Sequence, residues 1–223
     1  MGEDNWLIEV VVLAMLAGFI ALRLVSVLGR RTGHEEPAGD IVRRSPAEQL
    51  PAATGSADAP AAPTLELPQT MPAELRASLA AIAAADPSFQ PARFVDGATA
   101  AYRMILEAFW KGDNEALKTL VSDDTADEFA AAIEAREAEG LSIDNRLVGI
   151  EKAEIVGAEL RGSMAEVTVR FDADLVALTR DKAGDVVAGS TSDAVSTHDV
   201  WTFSRHTGSH DPNWLLIETD EDA

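Results

Sequence analysis

With 223 residues, a net charge of −20 and no cysteine, the chain can bury a core of ordinary size, and disulfides and thiolate metal sites are excluded. The charge is uneven, since residues 87–223 carry 12 basic and 27 acidic side chains whereas residues 1–86 carry 6 and 11. So acidic a C-terminal part repels phosphate backbones, which argues against nucleic acid as a partner.

The first element is apolar. Trp6 to Leu28 reads WLIEVVVLAMLAGFIALRLVSVL, with Glu9 and Arg23 its charged residues. As a helix it would extend about 34 Å, enough for a hydrocarbon layer about 30 Å thick. Val10, Leu13, Leu16, Phe19, Leu22 and Leu28 would meet lipid. Trp6 would anchor one interface and Arg23 would snorkel to the other. A cleaved signal peptide needs a basic leader, but Met1 to Asn5 offers two acids and no base. An interfacial helix needs one apolar face, and here the apolar residues run all round. Residues 1–31 therefore read as a transmembrane anchor. Arg30, Arg31, Arg43 and Arg44 follow it, so the positive-inside rule puts the rest of the chain in the cytoplasm, or in the equivalent compartment of an organelle. The expectation is a single-pass protein of a bacterial inner membrane.

Residues 32–71 are rich in Pro, Ala, Ser and Gly and hold no aromatic residue. Such a segment cannot bury enough surface to offset its ordering entropy, and it reads as a disordered tether. The folded domain is expected over 72–223. Pro72 to Ala85 has helical spacing at Leu75, Leu79 and Ile82, and Asp86-Pro87 ends it. Pro91 to Lys111 is a stronger helix, with Phe94, Ala98, Ala101, Tyr102, Ile105, Leu106 and Phe109 on one stripe and Gly112 as its stop. Asp113 can cap a short helix holding Leu117 and Leu120. Ser122 to Asp124 can cap a fourth, which buries Phe129 and Ile133 and closes at Gly140.

The period then changes from helical to alternating. Val167, Val169, Phe171, Ala173 and Leu175 share one face, and Glu166, Thr168, Arg170, Asp172 and Asp174 the other, which predicts a half-buried antiparallel strand. Asp181 to Asp185 is a turn, and further strands are expected at 147–158, 195–205 and 214–219. Helices first and a strand meander second predicts an α+β domain with helices packed on a curved antiparallel sheet.

Phe94, Tyr102, Phe109, Trp110, Phe171, Trp201, Phe203 and Trp214 hold most of the large side chains of this part. They read first as core. With Ile105 and Val169, all but Trp110 also form a candidate lining for a pocket that takes lipid or an apolar peptide segment. Asp199 shares a face with Trp201 and Phe203 and is expected to pair with an arginine. Tyr102 with Asp199 would be the acid–base pair of a rival reading, a pocket isomerase or dehydratase. His198, His206, His210 and Asp211 do not make a metal site, since His198 and Trp201 point to opposite faces. With no phosphate loop or nucleophile elbow, no cofactor is expected. Nothing in the spacing sets an oligomeric state.

Several strings resemble the Tim44-like domain family. They are Tyr102-Arg-Met-Ile-Leu-Glu-Ala-Phe-Trp-Lys-Gly-Asp113 with Leu117 and Leu120, Ala153-Glu-Ile-Val156, Val167-Thr-Val-Arg-Phe171, Thr179-Arg-Asp-Lys-Ala-Gly184, Asp199-Val-Trp-Thr-Phe-Ser-Arg205 and Asp211-Pro-Asn-Trp-Leu-Leu-Ile-Glu-Thr219. Together they cover about residues 88 to 219, in the family's order and spacing. The resemblance implies a cone-like α+β domain with an apolar pocket, association with an inner membrane and its lipids, and no enzymatic activity. The expected role is a membrane-held adaptor or scaffold. Its partner would be an inner-membrane or periplasm-spanning protein complex reached from the cytoplasmic side, and a lipid carrier is the alternative. Mitochondrial members place their chaperone-contacting region in a long charged segment before the domain. Here an apolar helix and a short tether stand there, so chaperone tethering is not carried over.

Overall fold

The structure, a computed structural model, describes residues 67–68 and 70–221. The expected anchor and most of the expected tether lie outside the described residues. Among those described, no helix is long and apolar enough to cross a membrane. Four helices come first among the described residues: α1 (Ala73–Ala85), α2 (Pro91–Lys111), α3 (Asn114–Lys118) and α4 (Asp123–Glu139). Five strands follow: β1 (Ser142–Ile143), β2 (Arg146–Arg161), β3 (Met164–Arg180), β4 (Val186–His206) and β5 (Leu215–Glu221).

Local chemistry sets the helix ends. Pro91 opens α2 without losing a needed donor. Gly112, at φ 72°, closes it in the left-handed conformation that a side chain disfavours. The Asp113 carboxylate accepts from Ala116 N at 3.0 Å and starts α3. Ser122 Oγ accepts from Thr125 N at 3.3 Å and starts α4, which Gly140 ends at φ 74°. Leu67 and Met71 pack against the core just ahead of α1.

The sheet is one antiparallel array. β3 pairs with β2 and, at its far end, with β1; β4 pairs with β3 and β5. Register shifts at Leu147/Gly149, Ile150/Lys152 and Ile155/Gly157 bend β2. Inward residues of β3 alternate as expected from Val167 to Ala173, with Ala165 also buried, but Leu175 is only half-buried because the phase changes there and Val176 and Leu178 take the buried positions. α1 packs on β2. α2 supplies Phe94, Ala98, Tyr102, Ile105 and Ala108 to the core. α4 is tied to β5 through Ser122 N, which donates to Leu216 O at 2.9 Å.

Two differences from the sequence reading are informative. β4 begins at Val186, not near Val195, because its first residues pair with β3 only after a register shift from Val176/Ala194 to Leu178/Gly189. Gly189 sits at φ 83°, where an added Cβ would lie 2.0 Å from Ala177 O, so this join requires glycine. Trp214 precedes β5 and is not part of it.

The outer face of the sheet is polar. Arg170 pairs with Glu154, and His198 Nδ1 lies 2.9 Å from Asp172 Oδ1. That contact, helped by the charges of Arg170 and Lys152, holds the Asp172 carboxyl below its usual pKa against the opposing effect of burial. A depressed carboxyl stabilises the fold fully above the ordinary pKa of about 4, and its contribution fades as pH falls through the lowered native value. In His198→Ala the Asp172 carboxyl is expected to titrate closer to the ordinary value, as carbon-detected NMR of the side chain would show. An unchanged titration would assign the depression to the charges of Arg170 and Lys152.

Candidate binding site

The loop between α1 and α2 is fixed to β4 by a buried ion pair. Asp86 and Arg205 expose 6% and 8% of their side chains and are in direct contact. Asp86 Oδ1 also accepts from Ser88 Oγ at 2.6 Å and Ser88 N at 3.0 Å. Arg205 Nη2 donates to Ser88 Oγ at 3.0 Å and Nη1 to Pro212 O at 3.3 Å, while the guanidinium lies 5.3 Å from the Trp214 ring centre. Burial lowers the Arg205 pKa and the Asp211 charge opposes that shift. One cation thereby ties down the α1–α2 loop and the chain on either side of the 207–214 connection.

These pieces wall an open cavity of about 520 Å³ on one flank of α2. Phe89, Phe94, Phe203 and Trp214 form its aromatic side. Phe94 and Trp214 meet edge to face at 4.8 Å, and Phe89 lies 5.6 Å from Trp214. Gly97, Ala98 and Ala101 form a low floor, and a Cβ at Gly97 would meet nothing within 4 Å. Met104, 49% exposed, and Leu120 stand at the far end, with Arg93 at the rim. A mainly apolar trough, with Ser88, Gln90, Arg93, Thr119, Arg205 and Asn213 also in its lining, suits an aliphatic or aromatic segment.

A second constellation lies deeper. Tyr102 is fully buried, stacked on Phe171 at 4.4 Å and 4.6 Å from Trp201. Its hydroxyl donates to Asp199 Oδ2 at 2.5 Å, and Thr197 Oγ1 donates to the same oxygen at 3.0 Å. Burial, reinforced by the hydrogen bond to the Asp199 carboxylate, pushes the phenol far above its usual pKa. Tyr102→Phe is expected to cost about 1 kcal/mol in denaturant unfolding, the usual worth of one such bond. A loss above about 3 kcal/mol would mean that the phenol orders more than its own pair.

A family model for the Tim44-like domain matches residues 75–221. The chain belongs to the Tim44-like domain family. Mitochondrial import inner membrane translocase subunit TIM44 of Homo sapiens is 25% identical over 148 residues, 65% of this chain and 33% of that protein. Subunit TIM44-1 of Arabidopsis thaliana is 23% identical over 120 residues, 54% of this chain and 25% of that protein. The Tim44-like domain thus spans a third or less of the curated relatives it matches. Among solved structures, the intermembrane space region of the chloroplast protein ARC6 aligns with a TM-score of 0.43 at 13% identity, over 60% of this chain and 98% of that one.

Within this Tim44-like domain the nine candidate pocket residues divide. Phe94, Phe203 and Trp214 line the trough. Tyr102, Ile105, Val169, Phe171 and Trp201 are packed into the core, none more than 4% exposed. Phe109 lies against Phe129 at 5.3 Å, with Arg136 over its ring. The expected Asp199–arginine pair is corrected to Asp199–Tyr102. Arg205 shares the inward face of β4 with Asp199, but six residues of strand, about 20 Å, separate them. Neither Tyr102 nor Asp199 lines the trough. Phe89, Gly97, Ala101, Met104 and Leu120 were not singled out as pocket residues. The signal available for them was the run of small residues Gly97 to Ala101 inside an otherwise bulky helix. Among the described residues no group of three or more His, Asp or Glu is placed to hold a metal ion.

Proposed function

We propose that this chain is a membrane-held, non-catalytic adaptor whose Tim44-like domain seats an apolar segment of a protein partner in the trough beside α2. Family membership supports the adaptor class, because the curated relatives are named as subunits of an inner membrane translocase. The observation that carries the reading is the trough itself: open, apolar and floored by Gly97, Ala98 and Ala101, it has room for a ligand but no acid–base pair aimed into it. Tyr102 and Asp199, the residues a pocket enzyme would use, face each other away from it. The N-terminal apolar stretch, residues 1–31, holds the protein in the inner membrane as a single span, with the domain on the cytoplasmic side. The partner belongs to a membrane protein complex.

A photoreactive residue in place of Met104, in the full chain in its own membranes, tests this. A discrete protein adduct is expected from position 104 and none from Val156, an exposed position on β2. Adducts with phospholipid alone would replace the adaptor with a lipid carrier, and the same adducts from both positions would remove the trough from the account.

A further inference from the structure

The other flank of α2 carries a site of opposite character. A groove of about 370 Å³ runs between α2 and the chain from Ile143 to Leu147. Three cations line it, Arg103, Lys111 and Arg146, together with the half-buried indole of Trp110. In a part of the chain with more than twice as many acids as bases, this is a local reversal of sign.

The two carboxylates in the groove do not cancel it. Glu107 is engaged by Lys111 at 3.2 Å, and Asp144 lies 3.9 Å from Arg180. Asn145 is committed as well, since its Oδ1 accepts from Leu178 N at 2.8 Å. Arg103 and Arg146 are exposed and have no ion pair or hydrogen bond among the described residues. Guanidinium groups match carboxylates in a fixed fork, and two of them left free beside a flat apolar wall are suited to an anionic ligand.

The length of the groove selects the ligand. Its lining runs along α2 from Arg103 to Lys111, eight positions and about 12 Å of helix axis. A single small anion cannot fill it. An extended peptide advances about 3.3 Å per residue, so about four residues cover that length.

We propose that this groove is a second docking site, taking an extended acidic segment of a partner protein. Arg103 and Arg146 hold its carboxylates, and Trp110 covers an apolar side chain between them. The inference rests on the adaptor reading only in taking the ligand to be protein. With the trough, it makes α2 a ridge between an apolar seat and a basic one, so a bound chain would be recognised by an apolar stretch followed by acids.

The test uses the full chain in detergent and a fluorescein-labelled, amidated Glu-Glu-Leu-Glu peptide read by anisotropy at low salt. Binding is expected, and the double variant Arg103→Gln, Arg146→Gln should weaken it at least about tenfold, the loss expected for charge-assisted hydrogen bonds. Arg76→Gln, which removes a half-buried cation on α1, should leave it unchanged. Four results would each overturn the site: no binding, equal binding by the double variant, an equal loss in Arg76→Gln, or displacement by inorganic phosphate at matched charge. The photoadduct from position 104 reads the trough independently. Its persistence in a chain that binds no peptide would remove this site and leave the adaptor standing.

Discussion

Arg205→Met should lower the free energy of unfolding by about 3–5 kcal/mol, the cost of leaving one member of a buried ion pair without the other. Asp86 is 4% exposed and cannot turn to water. Ser88 alone would face its charge, through a hydroxyl and an amide that both reach Oδ1. The double variant Asp86→Asn, Arg205→Met removes both charges and should recover much of the loss, since an amide can keep the Ser88 bonds. Urea unfolding of Arg205→Met, of Asp86→Asn and of the double variant gives the coupling energy. A single-variant loss under about 1 kcal/mol would mean that the pair is solvated. The effect reaches the trough too. Arg205 covers Trp214 and bonds to Pro212 O, so the wall they form should loosen and the photoadduct from position 104 should fall with it.

That ion pair is also where sequence reading stops. Asp86 was legible as the end of α1, because Asp-Pro disfavours further helix, and nothing local says that its carboxylate meets a residue 119 positions later. The helices were legible almost to the residue, since their stops and caps are local chemistry: Gly112 and Gly140 take positive φ, and Asp113 and Ser122 bond within three residues. The centre of β3 was legible for the same reason, as alternation is written in neighbouring side chains. The first third of β4 was not. From Ala188 to Asp193 the residues are small or polar and mostly exposed, so no alternation marks them; Ala188 and Gly189 pair with β3, and Ser190 to Asp193 fall within the register shift. The candidate site was half legible. A stripe of apolar residues on α2 names what faces inward, but the trough is made where small residues leave the helix uncovered, and it is walled by a loop whose path the sequence does not encode locally. The same limit explains Asp199: alternation assigned its face correctly, and the partner came from a helix whose position over the sheet is set by the whole core.

Phe171→Ala should be the most damaging single truncation in that core, at about 3–5 kcal/mol. Phe171 is fully buried on the central strand β3, between Ala153 on β2 and Asp199 on β4. Its ring is stacked under Tyr102 and meets Trp201 edge on at 6.0 Å. The loss has two parts, the transfer of the ring to water in the unfolded chain and the void it leaves among neighbours that cannot close over it. Tyr102 cannot follow the void down without breaking its 2.5 Å bond to Asp199, and Trp201 is held by its place on β4. Collapse is therefore blocked on two sides, which puts the variant at the upper end of that range. Phe171→Leu keeps most of the volume and should cost distinctly less, about 1–2 kcal/mol, as urea midpoints compared at equal slope would show. Equal losses from the two substitutions would mean that the aromatic stack, and not filled space, holds the sheet against α2. In that case Tyr102→Leu, which breaks the stack from the helix side, should match them.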